Sequence, residues 1–182
     1  MGLTELAKTI RFDNASKGFD PTEGGVERYL LLAISEICEA QNELRDGHSV
    51  THIYYSTNAG YGDDRTHGDS KPEGFPVEIA DAIIRILDIQ AKLELEIKPH
   101  QGKYSFDVNT QLDIELLSII GSIVQSRFSF TRTSPVEMAY HLNMALSGLL
   151  HVAENCDFDV LTIINEKLAF NRTRPPKHGR KF

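Results

Sequence analysis

Two stretches, Glu27–Gly47 (ERYLLLAISEICEAQNELRDG) and Lys71–Ile89 (KPEGFPVEIADAIIRILDI), decide the fold. Each carries apolar residues at helical spacing. Leu30, Ile34, Ile37, Cys38, Gln41 and Leu44 share one face of the first, with Cys38 read as a small buried hydrophobe. Ile79, Ala80, Ile83, Ile84, Leu87 and Ala91 share one face of the second and its continuation. Each stretch also holds two carboxylates three residues apart, Glu36 with Glu39 and Glu78 with Asp81. At ~100° per residue such a pair is separated by ~60° around the helix, so both members lie to one side. In both cases the pair flanks the apolar stripe. Packing the two helices together therefore brings four carboxylates to the edge of one interface, where they repel each other unless a hard cation neutralises them. Either pair alone reads as ordinary solvated surface; the two together point to a metal.

Working outward, residues 3–12 read as a short helix followed by the turn-rich NASKGF. Asp20-Pro21-Thr22-Glu23 has the form of a helix start, with Asp as N-cap, Pro at the first position and Glu three residues on. That helix is expected to stop at Gly47. Residues 48–75 form a long polar connection, read as a lid or surface loop, in which residues 50–55 are a short strand candidate. Asp63, Asp64, His67 and Asp69 match no metal-loop spacing. Pro76 opens the second acidic helix, expected to run to about residue 96. Residues 111–127 form a third long helix, apolar around much of its circumference and expected to be buried on two sides. Ser134-Pro135-Val136-Glu137 caps a fourth helix, and FDVLTIINEKLAFNRTR reads as the last. No strand-type alternation persists, so the expected fold is all-α, a bundle of five or six helices in one domain over 1–182.

The composition is that of an ordinary globular chain of 182 residues. A net charge of -7 argues against general nucleic-acid binding. Two cysteines make no disulfide framework, and no ~18-residue apolar run points to a membrane, so a cytoplasmic location is expected.

The ordered set Glu36, Glu39, Glu78, Asp81, then Lys167, Asn171 and Arg174, with the phrases KPEGFPVEIADAIIRILD and EKLAFNRTRPPKHGRK, resembles the MazG-like all-α nucleoside triphosphate pyrophosphohydrolases over roughly residues 17–95 and 157–181. Relative to the shortest members the connection between the acidic motifs is long, and 96–155 looks like a two-helix insertion. The resemblance implies hydrolysis of a ribo- or deoxyribonucleoside triphosphate to the monophosphate and pyrophosphate. It implies Mg²⁺, with Mn²⁺ as a substitute, on Glu36, Glu39, Glu78 and Asp81, with Glu36 or Glu39 as general base. Lys167, Asn171 and Arg174, on successive turns, would hold phosphate and sugar. Lys17 is a further substrate candidate, or a plain surface lysine. Arg85 is either a counter-ion of the cluster or a substrate contact. Glu43 continues the acidic stripe of Glu36 and Glu39, either supporting the ligands or exposed to solvent, and Asp88 extends the second acidic face as a solvated group. A homo-oligomer, dimer or tetramer, is expected. Phosphoribosyl-ATP pyrophosphohydrolase is the alternative enzyme, and a non-catalytic helical module binding a basic partner is the alternative of another class. A ferritin-like di-metal bundle is disfavoured by the lack of any Glu-x-x-His.

Overall fold

The computed structural model describes residues 2–57, 60–62, 70–100, 102, 105–132 and 134–179, without the side chains of 57, 60–62, 128–132, 178 and 179. Over these residues the chain is an all-α bundle of six helices: α1 (Leu3–Ser16), α2 (Val26–Arg45), α3 (Phe75–Lys92), α4 (Val108–Arg132), α5 (Pro135–Asn155) and α6 (Val160–Thr173). A small antiparallel sheet, β1 (Tyr54–Thr57), β2 (Gly60–Gly62) and β3 (Lys71–Glu73) in the order β2-β1-β3, lies between α2 and α3. Asp63, Asp64, His67 and Asp69 lie outside the described residues. No described helix is long and apolar enough to cross a membrane.

α3 is the centre. FPVEIADAIIRILDIQ is apolar nearly all round, and a helix of that kind must be enclosed. It packs against α1, α2, α5 and α6, and from Phe75 to Gln90 every residue is buried except half-buried Asp81 and Arg85. Gly74 joins β3 to it with φ +114, where a Cβ would also collide with the His52 carbonyl. That junction sets the angle at which the sheet meets α3.

α1 docks on α3 through a buried polar lock. Asp88 accepts from Arg11 Nη1 at 2.7 Å and from Asn14 Nδ2 at 2.9 Å, and Arg11 Nη2 also donates to the Phe19 carbonyl. Asp88 is thus buried, contrary to its reading as a solvated extension of the acidic face. Burial outweighs these partners and lifts its pKa to about 6.

The segment from α3 to α4 is stitched to α5 by a polar ladder. Asn143, Ser147, His151 and Asn155 stand four residues apart on α5. Asn143 Nδ2 donates to the Glu96 carbonyl, Asn143 Oδ1 and Ser147 Oγ accept from the Lys98 and His100 amides, His151 Nε2 meets the Gly102 carbonyl, and Asn155 Oδ1 accepts from the Phe106 amide. Four residues of helix rise ~6 Å and two extended residues span ~6.6 Å, which matches the steps from Lys98 to His100 and Gly102, while the last step, to Phe106, takes four residues. α4 and α5 pack closely at Gly148, where any Cβ would strike Ile119.

Several boundaries and faces differ from expectation. α1 runs on through Asn14–Ser16 instead of ending at residue 12. Asp20 accepts from the Thr22 amide and hydroxyl, capping a turn rather than a helix, and α2 starts after Gly24 and Gly25, both at positive φ. α3 stops at Lys92, where Glu94 takes φ 54. The buried stripe of α2 is Val26, Tyr29, Leu30, Ala33, Glu36, Ile37 and Ala40, which leaves Cys38 exposed rather than buried. α4 buries one face only, through Leu112, Leu116, Ile119 and Ile123, and exposes Ile114, Leu117 and Val124.

The lock at Asp88 predicts a signature in pH. A carboxyl whose folded pKa is raised above 3.8 binds more protons folded than unfolded, so its contribution is full below pH ~4 and is lost as pH rises through about 6. The difference in unfolding free energy between wild type and Asp88→Asn is expected to fall by about 3 kcal/mol between pH 3.5 and 7.5. Denaturant titrations across that range check it; parallel pH profiles would contradict the buried, raised Asp88.

Candidate metal centre

The first contributor is α2. Because its buried stripe runs through Glu36, that carboxylate is carried into the α2–α3 interface instead of standing at its edge. α3 contributes Glu78 from its first turn and Asp81 one turn on. One oxygen from each of Glu36, Glu78 and Asp81 lies within 4.8 Å of the others. Glu36 and Glu78 are buried and Asp81 is half-buried. Three of the four expected carboxylates therefore converge. Glu39 is exposed and lines the same cavity without joining the cluster.

Two cations are built in against them. Arg85 Nε donates to Glu36 Oε1 at 3.1 Å, which assigns Arg85 as a counter-ion. Lys167 Nζ lies 2.7 Å from Asp81 Oδ2, a charge contact at poor hydrogen-bond alignment, with its side chain only 3% exposed. Burial opposes its charge, but Asp81 and Glu78 outweigh burial and raise its pKa above the ordinary lysine value. Lys167 therefore faces the cluster from α6 and does not project toward a ligand outside it.

These two charges do not balance three carboxylates. Burial first, then the charge of Asp81, push Glu78 up to about 9, and the same two causes in that order raise Glu36. Near neutral pH a proton on Glu78 stands where further positive charge is wanted. Asn171 Oδ1, on the same cavity wall, is buried and meets no donor among the described residues. A proton-hungry set of oxygens, an unsatisfied carbonyl-type acceptor, and no His or Cys on the wall fit a hard, oxygen-seeking divalent cation.

The cavity has a volume of about 80 Å³. Besides the cluster it is lined by Asn171, Arg174 and Lys71, with Phe19, Leu32 and Ile84 on an apolar side. Arg174 stands 5.7 Å over the Phe170 ring. Lys17 points elsewhere: its Nζ donates to the Arg172 and Arg174 carbonyls at 2.7 and 2.5 Å, closing the end of α6. Glu43 accepts from Tyr54 OH at 3.0 Å and contacts His48 Nδ1 at 2.5 Å, tying α2 to the sheet. Lys71 opens the phrase KPEGFPVE but takes no role from the sequence alone; a lysine at the end of a polar connection is brought to the site by the pairing of β3 with β1, Lys71 opposite Ser56.

No family model matches this chain, and it matches no curated protein or solved structure.

The pairing predicts different costs for two neighbouring neutralisations. Asp81→Asn leaves the buried Lys167 without its closest counter-charge and is expected to cost ~3 kcal/mol in metal-free buffer. Glu78→Gln replaces a group already protonated near neutrality and is expected to stay within ~1 kcal/mol of wild type. Mg²⁺ is expected to raise the Tm of wild type, and both variants are expected to lose that rise. Thermal scans with and without Mg²⁺ check this; equal metal-free losses, or a Mg²⁺ response surviving in both, would contradict the arrangement.

Proposed function

We propose that the chain hydrolyses a nucleoside triphosphate between the α- and β-phosphates, releasing a nucleoside monophosphate and pyrophosphate, in the manner of the MazG-like enzymes it resembles. The observation that carries the reading is the convergence of Glu36, Glu78 and Asp81 in a cavity whose wall also holds Asn171 and Arg174. Bound to the three carboxylates, Mg²⁺ or Mn²⁺ would neutralise charge developing on phosphate oxygens and acidify a coordinated water. Glu36 is held in place by Arg85, and Asp81 by Lys167, which suits both to a ligand role. Glu39, one turn along α2 and open to solvent on the cavity wall, is placed to accept the proton of the attacking water as the bridging P–O bond breaks. Arg174 and Asn171 supply a guanidinium and an amide toward the phosphates.

A volume near 80 Å³ accommodates an ion and a few waters at ~30 Å³ each, so the triphosphate would lie across the mouth with base and sugar outside. The alternative of an acidic stripe offered to a basic protein partner draws no support from this geometry, since Glu36 and Glu78 are buried. The homo-oligomer belongs to the same proposal. Ile114, Leu117 and Val124 recur on the outer face of α4 at spacings that suit helix pairing with a second copy.

With Mg²⁺ and a panel of ribo- and deoxyribonucleoside triphosphates, monophosphate and pyrophosphate are the expected products. Glu36→Gln and Glu39→Gln are each expected to lower kcat by about 100-fold or more. Diphosphate with orthophosphate would overturn α–β cleavage, and undiminished turnover in both variants would overturn the site. Light scattering is expected to report more than one copy per particle, reduced to a single copy by Leu117→Glu.

A further inference from the structure

Among the described residues, four cationic side chains line the cavity, and they are not equivalent. Arg85 is bonded to Glu36, Lys167 is buried against Asp81, and Arg174 stacks over Phe170. Lys71 differs in position and in partner. Its side chain is 37% exposed, against 3% for Lys167, so it stands at the mouth and not in the floor. It is still near enough for its charge to act on Glu78. Its Nζ is 2.6 Å from Glu73 Oε2, two residues along the same strand.

Glu73 does not depend on that lysine. Ser56 Oγ on β1 donates to its other oxygen, Oε1, at 2.9 Å. Departure of the ammonium would leave the largely buried Glu73 carboxylate still hydrogen-bonded to Ser56. The backbone of Lys71 is meanwhile held by pairing with Ser56 and by buried Pro72 beside it, opposite Tyr55. A side-chain rotation alone therefore carries the charge from Glu73 toward the opening, with no rearrangement of the sheet.

We propose that Lys71 captures the terminal phosphates of a polyphosphate anion at the cavity mouth, and that Glu73 is the carboxylate the anion displaces from it. This rests on the reading of the cavity as a metal–triphosphate site and adds to it the residue that receives the phosphate chain. Glu73 acts as a gate through competition. An anion carrying several negative charges outcompetes one carboxylate for the ammonium, whereas a singly phosphorylated anion does so less well.

The test is calorimetric binding of inorganic tripolyphosphate in the presence of Mg²⁺, with Mg²⁺ alone titrated separately. Lys71→Ala is expected to weaken tripolyphosphate binding about 10- to 100-fold, the range of a charge-assisted contact. Lys71→Met, which keeps the stem, is expected to do the same, while Lys71→Arg stays within about threefold of wild type. Glu73→Gln is expected to tighten binding several-fold, because the competitor loses its charge. Loss of the positive charge near Glu78 is expected to tighten Mg²⁺ binding slightly in Lys71→Ala and Lys71→Met, so their weaker tripolyphosphate binding cannot come from a weakened metal site. An ion pair that merely braces the strand predicts the same sign for Lys71→Ala and Glu73→Gln, so weakening in both overturns the proposal, as does no change in Lys71→Ala. Wild-type protein that binds Mg²⁺ but no tripolyphosphate also overturns it and leaves the metal site standing. The expected pattern of opposite signs in a protein that cleaves no nucleoside triphosphate upholds the anion site while the hydrolase reading fails.

Discussion

Three carboxylates buried against one another at the junction of α2, α3 and α6 are the constraint to which the surrounding structure answers. Glu36, Glu78 and Asp81 approach within 4.8 Å in surroundings that strip water from them. Left alone, such groups refuse to ionise together. The fold supplies Arg85 from α3 itself, half-buried, and Lys167 from α6, nearly withdrawn from solvent. The compensation stops short of neutrality. Glu78 still prefers its proton up to about pH 9, and a structure that wanted only stability would have placed apolar side chains there. Incomplete compensation is what makes the cluster chemically useful, because a divalent cation can take the place of the proton.

Holding this cluster requires α3 to be enclosed on nearly every side. Its neighbours are attached by different means. α2 contributes an apolar stripe that includes one of the ligands. α1 is pinned by Arg11 and Asn14 to Asp88, a second buried carboxylate about two turns along α3 from Asp81. α6 brings Lys167 inward and leaves Asn171 and Arg174 toward the opening. The sheet, short as it is, places Lys71 at the rim with Glu73 paired to it from behind, and the positive φ of Gly74 fixes how it meets the helix. Acid pairs, counter-ions and rim thus come from four separate elements that only α3 holds in common.

The α4–α5 hairpin answers to a different rule. Its core face is narrow, and the segment preceding it is secured by backbone bonds to Asn143, Ser147, His151 and Asn155. Side-chain amides and hydroxyls take the part that a neighbouring strand would play elsewhere, satisfying backbone groups along a segment with no regular structure of its own. The outer face of α4 keeps its exposed Ile114, Leu117 and Val124.

By itself the sequence determined that the chain is helical, how many helices there are to within one, and that Glu36, Glu39, Glu78 and Asp81 face one interface, of which the structure draws all but Glu39 into one cluster. Periodicity at 3.6 residues and the punctuation of Gly47, Ser134 and Pro76 are local properties, carried by each segment whatever its neighbours do. Which face of α2 turns inward was not local. Cys38 and Ile34 fitted the apolar pattern as well as Val26 and Ala33 did, and only the bulk of α3 selected the stripe that buries Glu36 and exposes Cys38. The same holds for Asp88, which pattern placed in solvent and α1 sealed from it, and for Lys167, which spacing directed toward a ligand and Asp81 drew inward. A charged side chain reads identically whether it faces water, a substrate or a counter-ion. The partner comes from a distant part of the chain, here 77 residues away for Arg11 and Asp88, so only the packed structure decides which of the three it meets.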